Sequence, residues 1–85
     1  MKHAGSQALD QLEGLLAAVR AIGALKERSR GVFYLKSRAF LHFHEDRAGL
    51  FADVRALPDG DFERIQIDTE TGRALLLQKV SAAAR

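Results

Sequence analysis

The stretch Gly31-Val-Phe-Tyr-Leu-Lys-Ser-Arg-Ala-Phe-Leu-His-Phe-His-Glu-Asp46 decides the fold class of this chain. It contains two runs rich in aromatic and aliphatic residues, Val32 to Leu35 and Ala39 to His44, on either side of a short polar segment. Such runs, bounded by polar turns, are typical of β-hairpins. A third run, Leu50 to Arg55, follows a polar segment that ends in glycine. The stretch therefore predicts antiparallel strands joined by hairpins.

Upstream of this block the sequence predicts a helix. Its apolar residues recur at a spacing of three or four, as on one face of a helix: Leu9, Leu12, Leu16 and Val19. Ser6 is the candidate N-cap, since a serine oxygen can accept from a free N–H of the first turn. We expect this helix to end around Lys26 to Ser29, and residues 1–5 to be flexible.

Downstream, Pro58-Asp59-Gly60 predicts a turn, followed by a fourth strand from Phe62 to Ile67. Residues 73–80 fit either a helix or a fifth strand, and the alanines at 82–84 favour the helix. The predicted fold is a two-layer α+β domain over residues 1–85. In it, an N-terminal amphipathic helix and a C-terminal helix pack on a meander of three to four antiparallel strands.

Strand alternation, with a four-residue loop at 45–48, divides these side chains between two faces. One face is apolar or small and is the predicted core: Val32, Tyr34, Ala39, Leu41, Phe43, Leu50, Ala52 and Val54. The other face, named here the outer face, mixes large apolar with ionisable side chains: Phe33, Leu35, Phe40, His42, His44, Phe51, Asp53 and Arg55.

The outer face is the predicted partner-binding surface. A contiguous apolar patch on a small sheet indicates an interaction site, and two-fold dimers are the commonest oligomers. We therefore expect a non-enzymatic module that forms a homodimer or binds another protein, with Phe33, Phe40 and Phe51 as buried anchors. His42 and His44 would then make association sensitive to pH.

A metal site is the first alternative. In His42-Phe43-His44 the two imidazoles of a strand point to one face, where both could ligate one ion. Asp53 on the next strand lies diagonally near His42 in this register. Two histidines and one carboxylate are a known ligand set for zinc or non-haem iron.

A nucleic-acid site is the second alternative. The chain carries a net charge of +2, but residues 1–44 hold seven Lys/Arg and three acids, whereas residues 45–70 hold three Arg and eight acids. The basic run from Lys26 to Arg38 lies beside aromatic residues on which bases could stack. No ribonucleoprotein signature accompanies it and the acidic half would repel phosphate, so we do not expect this partner.

Several function classes find no support. The chain has no cysteine, which removes disulfides and thiolate chemistry, and no serine lies in a Gly-x-Ser-x-Gly motif. There is no glycine-rich phosphate loop, so we expect no catalytic residue and no cofactor. No signal peptide and no run of about 18 apolar residues is present, and we expect a soluble cytoplasmic protein without a membrane partner.

The block from Gly31 to Asp46, continued by Gly49-Leu-Phe-Ala-Asp-Val-Arg55, resembles a small bacterial family of uncharacterised proteins. Those proteins are similar in having a helix, this block of strands and an apolar tail, and the resemblance spans about residues 30–80. It implies a bacterial, cytoplasmic setting and no catalytic residue.

Overall fold

The fold is an α+β arrangement of one antiparallel sheet and three helices, described for residues 2–57 and 60–84 by a computed structural model. The elements in chain order are β1 Lys2–His3, α1 Ser6–Gln11, α2 Glu13–Ile22, β2 Leu25–Ser29, β3 Val32–Leu35, β4 Arg38–Asp46, β5 Gly49–Val54, β6 Glu63–Gln66 and α3 Glu70–Ala83. The strands lie in the order β2-β3-β4-β5-β6, and β1 also pairs with β4. The predicted class is confirmed, with more strands than the three to four expected.

The N-terminal helix is shorter than predicted. Gly5, and not Ser6, is the N-cap of α1, and the helical segment is interrupted at Leu12. It ends at Ile22, because Gly23 and Ala24 adopt φ of 79° and 62° and redirect the chain. The following residues, predicted as the end of the helix, instead form strand β2 beside β3.

Residues 2 and 3, within the segment 1–5 that was predicted to be flexible, form a strand; Met1 lies outside the described residues. Lys2 pairs with Glu45 and His3 with His44, at the end of β4 that β3 does not reach. The Ala4 N–H donates to the carbonyl of Phe43 at 3.0 Å, which continues this pairing. The segment is therefore part of the sheet.

Two tight turns set the register of β4. Leu35 pairs with Arg38, so Lys36 and Ser37 form a two-residue turn, with φ of 52° and 70°. At the other end Asp46 pairs with Gly49, which leaves a two-residue turn where a four-residue loop was predicted. This shift moves β5 by two positions along β4. Because alternation has period two, the shift leaves each side chain on its predicted face.

A β-bulge at Phe40 overturns the prediction for two aromatic residues. Leu41 pairs with Phe33 and Ala39 with Tyr34, so Phe40 is an extra residue in β4. The extra residue reverses the alternation between the two strands. Phe33 and Phe40 are 1% and 3% exposed and belong to the core, and their predicted place on the outer face is wrong.

The helices and one face of the sheet enclose the hydrophobic core. Its strand residues include Leu41, Phe43, Ala52 and Val54, which confirms half of the predicted core face. Residues 73–80 form a helix, as expected, and α3 contributes buried Leu76 and Val80. The predicted Pro58-Asp59-Gly60 turn has its first two residues outside the described part of the chain. No helix of the described residues is long and apolar enough to cross a membrane.

Candidate metal centre

All three histidines of the chain meet on the outer face of the sheet. The ring centroids of His3 and His44 are 4.8 Å apart, as are those of His42 and His44, and His3 and His42 are separated by 5.5 Å. Each ring offers a nitrogen, and these three nitrogens lie within 4.8 Å of one another. A cluster of three imidazoles is thus present where the sequence indicated two.

Strand geometry explains this convergence. His42 and His44 lie at alternate positions of β4, between core residues Leu41, Phe43 and their partners, so both rings point away from the helices. His3 is directly opposite His44 in the pairing of β1 with β4, which brings the third ring to the same face. Directly opposed residues of an antiparallel pair are close enough for their side chains to touch.

Asp53 lies beside the cluster and is held by an arginine. It is opposite His42 on β5, and its Oδ2 lies 3.1 Å from Nε2 of His44. Arg64 on β6 donates to both carboxylate oxygens, at 2.8 and 2.9 Å, and lowers the pKa of Asp53. Asp53 is 6% exposed, so the charge of the carboxylate is compensated by Arg64 rather than by water.

The surroundings of His42 keep its imidazole neutral. Partial burial is the main reason why its pKa lies below the usual value, and the nearby His44 lowers it further. The ring of Phe62 packs edge-on against His42, with centroids 4.8 Å apart, and supplies part of that burial. A neutral imidazole has a free lone pair on one nitrogen, as metal coordination requires.

His44 has one ring nitrogen with contacts and one without. Its Nε2 lies 2.8 Å from Nδ1 of His42 and also contacts Asp53. Its Nδ1 is buried and has no hydrogen-bond partner among the described residues. Buried side-chain nitrogens are nearly always paired, so this atom calls for an explanation. Hydrogen bonds within the cluster therefore leave one imidazole nitrogen, Nδ1 of His44, without a partner among the described residues.

The arrangement suits a transition metal with nitrogen ligands. In a tetrahedral zinc site with Zn–N bonds near 2.1 Å, ligand nitrogens are about 3.4 Å apart, so side-chain rotations of the order of 1 Å would close this cluster around an ion. His3 is exposed, which leaves one side of the cluster open to solvent. A fourth ligand such as water would enter there, and a zinc-bound water can lose a proton near neutral pH.

The sequence-based ligand set needs one correction. His42 and His44 do lie together, and Asp53 is adjacent to them. Both oxygens of Asp53, however, are already bound by Arg64, so this carboxylate is placed to orient His44 rather than to coordinate an ion. The third candidate ligand is His3, which sequence reasoning missed. The signal available was the composition itself, since His3 is the one remaining histidine.

The rest of the predicted partner-binding face is less apolar than expected. Phe33 and Phe40 lie in the core, and Leu35 is partly buried against it. Phe51 is half-buried opposite His44. The large hydrophobic residues exposed in the described part of the chain, Leu57 and Leu75, lie on neither β4 nor β5. Of the three predicted anchors, Phe51 is the one that does not lie in the core, and binding of a partner by this face stays a prediction.

The basic run is partly engaged within the domain. Arg30 donates to Asp10 and Glu13 at 2.8 Å each, and the guanidinium of Arg28 lies 4.3 Å from the ring centroid of Tyr34. Those acids belong to the N-terminal half, so the pairing does not join the two oppositely charged halves. Nucleic-acid binding by residues 26–38 stays an untested alternative.

In comparisons with known proteins, no family model, no curated protein and no solved structure matched the chain. The resemblance drawn from residues 31–55 stays a prediction, and function is inferred from the arrangement of side chains.

Proposed function

We propose that this protein binds a divalent transition metal, with zinc as the favoured ion, through His3, His42 and His44. The observation that carries the proposal is the convergence of every histidine of the chain on one patch, with ligand nitrogens within 4.8 Å. Three imidazoles with an open fourth position are a ligand set that proteins use for zinc.

The second layer of the site supports this function. Metal-bound histidines commonly donate their other N–H to a carboxylate, which fixes the tautomer and the ring orientation. Asp53 contacts Nε2 of His44 and is held in place by Arg64, so it would take that position for an ion bound at Nδ1 of His44, the nitrogen without a hydrogen-bond partner among the described residues. His42 is neutral because its pKa is lowered, so binding does not first have to remove a proton from it at pH 7.

The ligand type favours particular ions. Imidazole nitrogen suits zinc, copper, iron and nickel, whereas calcium and magnesium prefer oxygen ligands. Asp53 beside the cluster is bound by Arg64, so among the described residues a hard cation would find no free carboxylate there. We therefore expect zinc or cobalt to bind and magnesium to have no effect.

Isothermal titration with zinc, together with the visible absorption of a cobalt complex, tests the proposal. We expect one ion per chain and a cobalt band typical of tetrahedral nitrogen coordination. His42→Ala and His44→Ala should abolish the band, and His3→Ala should weaken binding by more than the roughly 10–100-fold that follows loss of an outer partner.

Lys2→Ala is the matched control for His3→Ala. It lies on the same short strand, and its ammonium is 3.9 Å from Glu45 rather than in the cluster. This variant should bind zinc like the wild type. Absence of stoichiometric binding in the wild type, or equal binding by His42→Ala and His44→Ala, would refute the proposal.

Self-association through the outer face remains a separate proposal. With Phe33 and Phe40 in the core, its remaining contacts would be Phe51 and the histidine cluster. The edge strands β2 and β6 carry charged residues, which disfavours edge-to-edge pairing. Sedimentation of the wild type across dilution, with and without zinc, measures association directly.

A further inference from the structure

One end of the outer face carries cations and aromatic rings in a row that crosses the sheet. In the strand pairing Lys26 lies opposite Tyr34, and Tyr34 lies opposite Ala39 on β4. The row continues on β5, where the Arg55 N–H donates to the carbonyl of Phe40 at 2.8 Å. The three helices contribute to the core on the other side of the sheet, so no described helix covers this row. We name it the cationic row, and its members are Lys26, Arg28, Tyr34, Arg55 and Phe62.

Two arginines of the cationic row are stacked on its two rings. The guanidinium of Arg28 lies 4.3 Å from the ring centroid of Tyr34, and that of Arg55 lies 4.4 Å from the ring centroid of Phe62. Arg28 is exposed, so the side of its guanidinium turned away from the ring meets solvent. Unpaired bases stack on guanidinium planes as well as on aromatic rings. The two pairs are therefore stacking surfaces, in which Arg55 acts through its charge and its ring contact.

Most acidic residues of the strands lie away from the cationic row. Glu27 faces the helices, where its carboxylate accepts from Arg20 of α2 at 2.6 Å. Glu63 also faces the helices and forms an ion pair with Lys79 of α3 at 3.1 Å. The two acids at 45–46 lie at the opposite end of β4, next to the turn into β5. These carboxylates are thus separated from the row by the sheet or by its length.

The cationic row consequently keeps its positive charge. Lys26 is exposed and forms no ion pair with any described residue, and Arg28 contacts a ring rather than a carboxylate. Asp53, the strand acid nearest to the row on the outer face, is bound by Arg64. The sequence-based objection to a nucleic-acid partner was that the acids of residues 45–70 would repel phosphate. The placement and pairing of the strand acids remove much of that objection.

We infer that the cationic row binds single-stranded nucleic acid, with unpaired bases on its two arginine–ring pairs and phosphates beside Lys26. Tyr34 on β3 and Phe62 at the start of β6 are three strand spacings apart, or about 14 Å, so one strand crossing the sheet can reach both pairs. A single strand offers both negative charge and free base faces. A duplex offers the charge but keeps its base faces in the stack, and an acidic peptide offers the charge alone.

The test is a fluorescence anisotropy titration of labelled dT12 in a buffer that contains EDTA. Phe62 contacts His42, and EDTA keeps the histidines free of metal, so the result does not depend on zinc binding. We expect saturable binding that weakens roughly 20-fold between 50 and 200 mM salt, as neutralisation of about three phosphates predicts. A duplex of the same length should bind at least about fivefold more weakly, because its bases cannot stack on the rings. A peptide of twelve glutamates should not displace dT12.

Three variants complete the experiment. Tyr34→Leu keeps an apolar side chain but removes the aromatic face, and it should weaken dT12 binding about fivefold or more. Lys26→Gln should weaken binding and reduce the salt slope by about 0.7, the loss of one phosphate contact. Lys79→Gln is the matched control, because it removes the same charge on the helix side of the sheet, and it should bind like the wild type.

Four results would overturn the inference about the cationic row. They are no saturable binding of dT12 at 50 mM salt, equal affinity for the duplex, displacement by the glutamate peptide, and equal weakening by Lys26→Gln and Lys79→Gln. The comparison of single strand, duplex and peptide uses the wild-type protein, so it does not depend on whether a variant folds.

Discussion

Oδ2 of Asp53 lies 3.1 Å from Nε2 of His44, on the strand next to it. Arg64 holds the same carboxylate by two further hydrogen bonds, so the imidazole is oriented by a group that is itself fixed. The relationship separates two roles that the sequence could not distinguish, because a carboxylate beside two histidines can be a ligand or the support of one.

Asp53→Asn is the variant that distinguishes them. If Asp53 supports His44, zinc affinity falls about 10–100-fold while the cobalt band keeps its position. If Asp53 is a ligand, the band itself changes. Asp46→Asn is the matched control, since Asp46 lies two residues from His44 and accepts from the Ala48 N–H in the turn. We expect this control to bind zinc with wild-type affinity.

Gly72→Ala should destabilise the protein although alanine favours helices. A Cβ at position 72 would collide with the backbone carbonyl oxygen of Gln66, because the first turn of α3 lies against the end of β6. Gly14→Ala in α2 is the control, because nothing lies within 4 Å of the added Cβ. The free energy of unfolding of Gly14→Ala should rise by about 0.5–1 kcal/mol. Urea unfolding of both variants shows whether each substitution raises or lowers stability. A stabilised Gly72→Ala would contradict the close approach of Gly72 to the Gln66 carbonyl.

Phe33→Ala and Phe51→Ala compare two residues predicted on the same face. Phe33 is 1% exposed in the core, so its truncation should reduce the free energy of unfolding by about 3–5 kcal/mol. Phe51 is half-buried, so its truncation should reduce the free energy of unfolding by clearly less. Thermal denaturation gives both values, and equal losses would place Phe33 back on the surface.

The stability contributed by Glu27 should disappear in acid. Arg20 donates to its two carboxylate oxygens at 2.6 and 3.0 Å and is the main reason why the pKa of Glu27 is lowered in the folded protein. A carboxyl whose folded pKa is lowered stabilises the protein above its ordinary pKa of 4.5, and this contribution is lost as the pH falls through the folded value.

Glu27→Gln therefore should be less stable than the wild type by about 1 kcal/mol at pH 7, and the difference should shrink as the pH falls below 4.5 and through the lowered pKa of Glu27. Unfolding in urea at pH 7 and at a series of acidic pH values measures it. Glu70→Gln, an exposed carboxylate in the first turn of α3, serves as the comparison. A difference for Glu27→Gln that is constant with pH would mean that the ion pair contributes nothing.

The sequence predicted most of the sheet because its inner strands alternate clearly. The runs at 32–35, 39–44 and 50–55 correspond to β3, β4 and β5. The turn between β4 and β5 is two residues shorter than predicted, and because two is an even number the side chains of β5 stay on their predicted faces. β2 was missed because an edge strand reading Leu-Lys-Glu-Arg-Ser has little alternation to detect. The bulge at Phe40 was missed because one extra residue leaves no mark in a hydrophobic pattern.

The sequence also predicted part of the candidate site. His42 and His44 follow from alternation alone, and Asp53 follows from the neighbouring strand. His3 could not be placed, because a two-residue strand is defined by its partner and not by its own residues. The role of Arg64 also depended on pairing, since Asp53 and Arg64 meet only through the register of β5 with β6.

The two-residue strand β1 gives the site a property that a rigid scaffold would lack. Two ligands belong to the middle of the sheet, but the third is carried by a short segment that pairs with β4 at Glu45 and His44 and through the Ala4 N–H. When such a segment is docked for a fraction of the time, the apparent affinity falls by that fraction, so docking a tenth of the time weakens binding about tenfold. Bound metal would then hold β1 against β4. Slower hydrogen exchange of the Ala4 amide, which donates to Phe43, would report that β1 is paired.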